Sequence, residues 1–199
     1  MTQRGTLNIG GMVQQSIEVI SRPSVANFER FERGGTAREA FIYVGLAALV
    51  TAVLSAIFHL RSPGAALWTA IGALILTLLG FFVFTFIVNW AGKQFFQGTG
   101  TYDEVAYTFA LFYAPLALIS GVLGQIPLLG WLISLAVLVG YVYFGYLAVQ
   151  SSMNIRDQGQ AIILLVIAAV GYGIIFGLVT AVFAAIAFSG ALVSGAFGR

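Results

Sequence analysis

Along most of this chain the apolar residues run on without the alternation of period two that marks a half-buried strand. Five runs stand out: Ala40 to Leu60, Ala65 to Trp90, Val105 to Leu123, Leu128 to Val149 and Ala161 to Phe188. A helix needs roughly 20 apolar residues to cross about 30 Å of hydrocarbon, and each run supplies them. Strands of a membrane barrel would read as alternating segments of about 10 residues instead. The pattern predicts an all-α polytopic membrane protein with five transmembrane helices. The second and fifth runs exceed what a crossing requires, which leaves room for tilt or for extension beyond the bilayer.

The polar punctuation agrees with this division. "SPG" at Ser62 to Gly64 offers an N-cap followed by proline in the first turn of the second span. "TYDE" at Thr101 to Glu104 is a capping box opening the third. "GQIP" at Gly124 to Pro127 leaves so short a connection that the third and fourth spans must be antiparallel neighbours. Ahead of the first span, residues 1–39 form an arm, followed by a bundle over 40–190 and a short external tail over 191–199. In the arm, "NIGGMVQQSIEVI" puts Ile9, Met12, Val13, Ile17 and Ile20 on one helical stripe with Gln14, Gln15 and Glu18 opposite. Such an amphipathic helix can lie in the headgroup plane. A second helix restarts after Arg22 at Pro23, where Phe28 and Phe31 can dip into lipid and Arg30 and Arg33 can meet phosphates. The arm either sets the entry angle of the first span or serves as a docking surface for a soluble partner. A basic residue near an anionic leaflet is worth about 1 kcal/mol, but Glu18, Glu29, Glu32 and Glu39 offset most of that attraction.

Composition narrows the choice of solvent and chemistry. Hydrophobic residues make up 60% of the chain and charged residues 8%, against about a quarter charged in an ordinary soluble domain. Too few charges remain to coat a globule, so the solvent is lipid. A net charge of +2 gives no sign of a nucleic-acid partner, and the absence of cysteine excludes disulfides and thiolate metal sites. Arg4 is not followed by a long apolar core, so no cleavable signal peptide is expected. Arg22, Arg30, Arg33, Arg38, Lys93 and Arg156, with Arg4 farther off, fall on one side of the predicted spans. Only Arg61 and Arg199 fall on the other. The positive-inside rule then predicts a cell-membrane protein with a cytoplasmic N-terminus and an external C-terminus.

The residues that intramembrane catalysis needs are missing from the spans. A zinc protease helix carries two histidines, and the single His59 falls at the outer end of the first span. The adjacent acids Asp103 and Glu104 belong to a helix start, where the capping box and the helix dipole account for them. "GTG" at Gly98 to Gly100 lacks the lysine of a phosphate-binding loop. No ionisable residue lies near the middle of any span, as ion coupling would require. No enzyme activity, cofactor or metal is expected. Two readings remain: a scaffold or accessory factor that binds membrane proteins or lipids, and a small-solute channel or facilitator working through hydroxyls and amides.

Two patterns bear on that choice. "YTFALFYAP", Tyr107 to Pro115, places a proline about eleven residues into the third span, where it cannot donate to the Leu111 carbonyl and predicts a kink. Asn89, Tyr107, Tyr143, Tyr146 and Gln160 fall in the cytoplasmic half of the second to fifth spans. They either line a vestibule facing the cytoplasm or form an interfacial aromatic belt. In the fifth span Ala169, Gly173, Gly177, Ala181, Ala185 and Ser189 recur every four residues. A ribbon of small residues lets helices approach closely, either within the bundle or across a homodimer seam.

The order of these features resembles a known family. "RP" (Arg22, Pro23) follows an amphipathic arm, "GTGTYDEVAYTFALFYAP" enters the third span, and "GQA" (Gly159 to Ala161) opens the fifth. Over roughly residues 15–190 the chain is similar to the prokaryotic branch of the Yip-one domain family of Ypt- or Rab-interacting membrane proteins. The resemblance is carried most specifically by Gly98, Gly100, Thr101, Tyr107, Tyr113 and Pro115. It implies five spans, a cytoplasmic N-terminus and action without catalysis, and for the prokaryotic branch an accessory role beside a transporter. Eukaryotic members bind prenylated Rab GTPases. This chain lacks their Asp-Leu-Tyr-Gly-Pro signature and has a shorter arm, so the resemblance does not carry GTPase binding over. The predicted topology is tested with reporters: a fusion after Arg199 should be active only outside the cytoplasm, and an insertion at Gly98 only inside it. Cytoplasmic activity of the C-terminal fusion would overturn the orientation.

Overall fold

The computed structural model describes residues 8–58, 63–126 and 129–197. Among them the chain forms seven helices and no strand: α1 (Ile9–Ser21), α2 (Val25–Phe31), α3 (Ala37–Phe58), α4 (Pro63–Phe96), α5 (Tyr102–Leu123), α6 (Leu129–Ser152) and α7 (Gln158–Phe197). Helices α3 to α7 are each long and apolar enough to cross a membrane. They correspond in order to the five predicted spans. Arg4, His59, Arg61, Ser62, Pro127, Leu128 and Arg199 lie outside the described residues.

Most helix starts are fixed by side-chain oxygens. Asn8 accepts from the Gly11 amide at 2.8 Å and Ser24 from the Asn27 amide at 3.2 Å. At α5 both halves of the expected capping box form: the Thr101 amide donates to Glu104 Oε2 at 2.7 Å, and the Glu104 amide to Thr101 Oγ1 at 3.2 Å. A second reciprocal pair opens α3, where the Thr36 amide donates to Glu39 Oε2 at 2.8 Å and the Glu39 amide to Thr36 Oγ1 at 3.4 Å. Asp157 caps α7 by accepting from the Gln160 amide at 2.7 Å. These bonds satisfy amides that a helix start leaves without partners.

Helix α5 is the centre of the bundle. Every residue from Val105 to Phe112 is buried, as expected of a helix with neighbours all round. Helices α1, α3, α4 and α6 pack on it, and α7 closes the far side against α4 and α6. The Ala37 amide donates to Asp103 Oδ1 at 2.8 Å and the Thr99 amide to the Met153 carbonyl at 3.2 Å. The start of α3, the α4–α5 connection and the α6–α7 connection therefore share one end of the bundle, the loop end. Ile162, Val166, Val170, Ile174 and Leu178 of α7 point away from the protein, toward the side where lipid tails would cover them.

The structure departs from the expectations in the ribbon and in part of the arm. The small-residue ribbon does not pack within the bundle: Ala169, Gly173, Gly177, Ala181 and Ala185 are all exposed, and a Cβ added at Gly173 or Gly177 would meet nothing within 4 Å. In the arm, Val13 and Ile17 of the predicted stripe face outward as a surface-lying helix requires, while Met12 is buried against the bundle with Ser16 and Val19. Phe28 does not dip into lipid but is fully buried, edge-on against Phe112 with ring centroids 6.2 Å apart. Phe31 packs partly buried against the core, beneath the Arg30 guanidinium 5.1 Å from its ring. The arm folds back onto α5 and α6 because α1 and α2 carry apolar residues on more than one side. Helix α7 also runs on to Phe197, through most of the stretch expected as a tail.

A pair of leucine substitutions tests which glycines the bundle needs. A Cβ on Gly121 would overlap the Thr51 side chain, so Gly121→Leu should lower the unfolding temperature of the detergent-solubilised protein, with a loss of about 1–3 kcal/mol by overpacking. Gly177→Leu should change stability by less than about 0.5 kcal/mol. The opposite ranking would return the ribbon to the bundle interior.

Candidate functional site at the loop end

The loop end is built on close backbone approach. After α4 the chain turns through Gln97, whose φ is 53°, and the Gly98 amide reaches back to the Gly92 carbonyl at 2.9 Å. A Cβ on Gly100 would overlap the Ser152 carbonyl oxygen, and one on Gly98 would stand 2.5 Å from Met153 Cε. Only glycines let this connection lie against the end of α6. Side chains then pin it. Asn154 Nδ2 donates to Thr99 Oγ1 at 3.0 Å, and Asn89 Nδ2 donates to the Gly100 carbonyl at 3.3 Å.

The arm sits on this platform. A Cβ on Gly35 would overlap the Tyr107 ring, so the α2–α3 link passes directly against that ring. The Tyr107 hydroxyl donates to Gln15 Oε1 at 2.9 Å, and the Ser16 and Tyr43 hydroxyls share a bond of 3.0 Å. Ser151 Oγ donates to Glu32 Oε2 at 2.8 Å. Arg33 Nε lies 3.4 Å from Glu104 and 3.7 Å from Glu32, while Arg30 pairs with Glu18 at 2.7 Å. The result is a continuous polar seam tying α1 and α2 to the starts of α3 and α5 and the end of α6.

The five vestibule candidates are not brought together. Tyr107 turns to the arm and Asn89 to the Gly100 carbonyl. Tyr143 is 46% exposed beside Phe144, Tyr146 is partly buried, and Gln160 is exposed at the start of α7. Two of the five are thus spent on the loop end and the arm, and none of the five lines either apolar groove of the bundle. Of the family-type positions, Gly98, Gly100 and Thr101 build the loop platform. Tyr113 instead lies deep in the bundle, its ring 5.4 Å from Tyr141 and 5.2 Å from Phe81. Helix α5 continues through Pro115, which lines an apolar groove with Ile17 of α1 and Leu46 of α3. Arg22 and Pro23 are exposed in the turn between α1 and α2.

Sequence reasoning missed Gln15, Glu32, Ser151 and Met153 as parts of the seam. A signal existed for the Thr36 capping pair, whose T-x-x-E spacing repeats that of Thr101 to Glu104. No signal pairs Ser151 with Glu32 across more than a hundred residues. Among the described residues no group of three or more histidines, cysteines or carboxylates stands close enough to hold a metal.

Glu32 gives the seam a pH dependence. Burial pushes its carboxyl above the ordinary carboxylate range, the Ser151 hydrogen bond opposes this, Glu104 adds to the rise, Arg33 opposes it and Glu29 adds again. A raised folded-state pKa means that the docked arm binds the proton more tightly than the free arm does. The stability contributed by the protonated form is complete in acid and is lost as pH rises through the raised pKa. Hydrogen exchange of the α2 amides, corrected for intrinsic rates, should show falling protection across that window. In Glu32→Gln, which keeps an acceptor for Ser151, protection should stay at the acid level throughout. Loss of protection in the variant at every pH would mean that the Arg33 ion pair holds the arm.

No curated protein and no solved structure matches the chain. The Yip1 domain pattern matches residues 17–181, from the second half of α1 into α7. That span includes the Gly98–Thr101 platform, the central helix and the polar seam except for Gln15 and Ser16. The match covers most of the chain and joins the five apolar helices to a family, so this multi-pass integral membrane protein belongs to the Yip1 domain family.

Proposed function

We propose that the protein is a non-catalytic membrane organiser, a scaffold or accessory factor that binds other membrane proteins or lipids through its loop end. The observation that carries this reading is how the polar groups are used. Thr36, Glu39, Thr101, Glu104 and Asp157 cap helices, Asp103 accepts from the Ala37 amide, and Glu32 joins the arm to Ser151. Carboxylates committed in this way build a rigid platform, and Glu32 and Glu104, which share Arg33, serve the seam that holds the arm. The exposed cations Arg22, Arg38, Lys93 and Arg156 border the platform and form no ion pair among the described residues. They suit the anionic surface of a cytoplasmic leaflet. In this reading the loop end faces the cytoplasm of a prokaryotic cell, the protein resides in the cell membrane, and its partner is a neighbouring membrane protein such as a transporter complex.

A facilitator would need a polar path, and the candidates for one are scattered over separate helix faces. The two functions separate in one pair of measurements. A photoreactive residue in place of exposed Arg156 should crosslink in intact membranes to a small, reproducible set of membrane proteins identified by mass spectrometry. Purified protein in liposomes should pass no ions or small neutral solutes above empty vesicles. Solute flux without reproducible crosslinks would replace the organiser with a facilitator.

A further inference from the structure

The middle of the bundle holds an aromatic cleft that the loop end does not explain. It encloses about 310 Å³ between α4, α5, α6 and α7, with Gly80, Phe84, Phe112, Tyr113, Tyr141 and Tyr172 in its walls. The Tyr113 and Tyr141 rings are 5.4 Å apart, and the Tyr172 ring lies 6.0 Å from Phe84. Gly80 leaves room for the Tyr172 hydroxyl, which would stand 3.1 Å from a Cβ there. Unlike Tyr43, Tyr102 and Tyr107, whose hydroxyls are bonded, Tyr113, Tyr141 and Tyr172 have no hydrogen-bond partner among the described residues. Each is roughly 15–21 Å along its helix from the nearer end of α5 or α6 or from the start of α7, at 1.5 Å per residue. That depth is close to the mid-plane of a bilayer whose hydrocarbon is about 30 Å thick.

Three unpaired phenols at that depth are unfavourable without a partner, because lipid tails offer no acceptor. The partner must therefore bring acceptors into the hydrocarbon mid-plane. Phospholipid esters and headgroups stay near the interfaces and do not meet this need. A flat ring with carbonyl oxygens and an apolar tail does: its faces stack on Phe84 and Phe112, its carbonyls accept from the tyrosines, and its tail leaves along the exposed side chains of Leu138 and Val142. The geometry points to this cleft as a binding site for a membrane-dissolved quinone, held as a ligand with no redox step at the protein. The assignment does not depend on the organiser role, and either can fail alone.

The test uses the full chain in lipid nanodiscs with a decyl-substituted 1,4-benzoquinone as probe and decylbenzene, which lacks the carbonyls, as comparator. Expected is saturable uptake of about one quinone per chain above the partitioning into empty nanodiscs, with only partitioning for decylbenzene. The triple variant Tyr113→Phe, Tyr141→Phe, Tyr172→Phe removes three unpaired hydroxyls, so its ligand-free unfolding temperature should not fall, while affinity drops at least about tenfold. Ala169→Phe keeps the hydroxyls and fills the cleft from its exposed edge, and it should abolish saturable uptake. Linear uptake, equal saturable uptake of decylbenzene, or unchanged affinity in the triple variant overturns the assignment. Should the triple variant fail to fold, full binding by Ala169→Phe overturns it instead.

Discussion

No side chain fits where Gly100 meets the Ser152 carbonyl oxygen, and the rest of the loop end depends on that approach. With the α4–α5 connection pressed onto the end of α6, the Thr99 amide reaches the Met153 carbonyl and Asn154 reaches Thr99. The same placement starts α5 at Thr101, beneath the arm. Asp103 then stands at the first amide of α3, and Glu104 stands beside Arg33. A larger residue at position 100 would lift the connection and move each of these partners together. Coupling of this kind makes the platform one unit, because neighbouring hydrogen bonds and ion pairs that share groups do not contribute independently.

The hydrocarbon divides the polar residues of the chain into two sets. At the loop end polar atoms are plentiful; the capping and seam groups are spent on caps, connections and the arm, while exposed cations such as Arg156 stay open. Deeper in the bundle the carboxylates and cations vanish and single hydroxyls take their place. Some of those are satisfied locally: Thr85 Oγ1 donates to the Phe81 carbonyl at 2.8 Å, the usual way for a threonine to sit inside an apolar helix. The tyrosines of the aromatic cleft have no such local outlet, since a phenol reaches past its own backbone. That geometric difference separates a hydroxyl that only tolerates the membrane from one that seeks an external partner.

What the sequence conveyed follows from which forces leave a one-dimensional trace. Run length fixes the number of spans, since hydrocarbon thickness sets a minimum. The T-x-x-E spacing fixes the start of α5, and the same spacing at Thr36 marks α3. Helix rotation leaves no such trace here. The outside of α7 is as apolar as its inside, so nothing along the chain says that Ala168 is buried while Ala169 is exposed. The arm misleads for a related reason. Ile17 and Val13 face outward as the apolar stripe of an amphipathic helix does, yet the side between them and the bundle buries Ser16, whose hydroxyl finds Tyr43. Long-range pairs such as Ser151 with Glu32 need the fold itself.

The segment Tyr107 to Pro115 shows how one helix serves both sets. Its residues Tyr107 to Phe112 and Ala114 are buried, and its two tyrosines point to different parts of the bundle. About 1.7 turns separate Tyr107 from Tyr113 along the helix. That separation carries the first hydroxyl to Gln15 in the arm and the second to the mid-bilayer cleft. Between them Phe109 and Phe112 pack against Phe84, Phe28 and Phe144. Phe112 touches the arm through Phe28 and also lines the cleft. A ligand that shifts Phe112 must therefore act on Phe28, and a shift of the arm must act on the cleft walls. The central helix is the physical link between what the bilayer presents at its mid-plane and what the loop end presents at its surface.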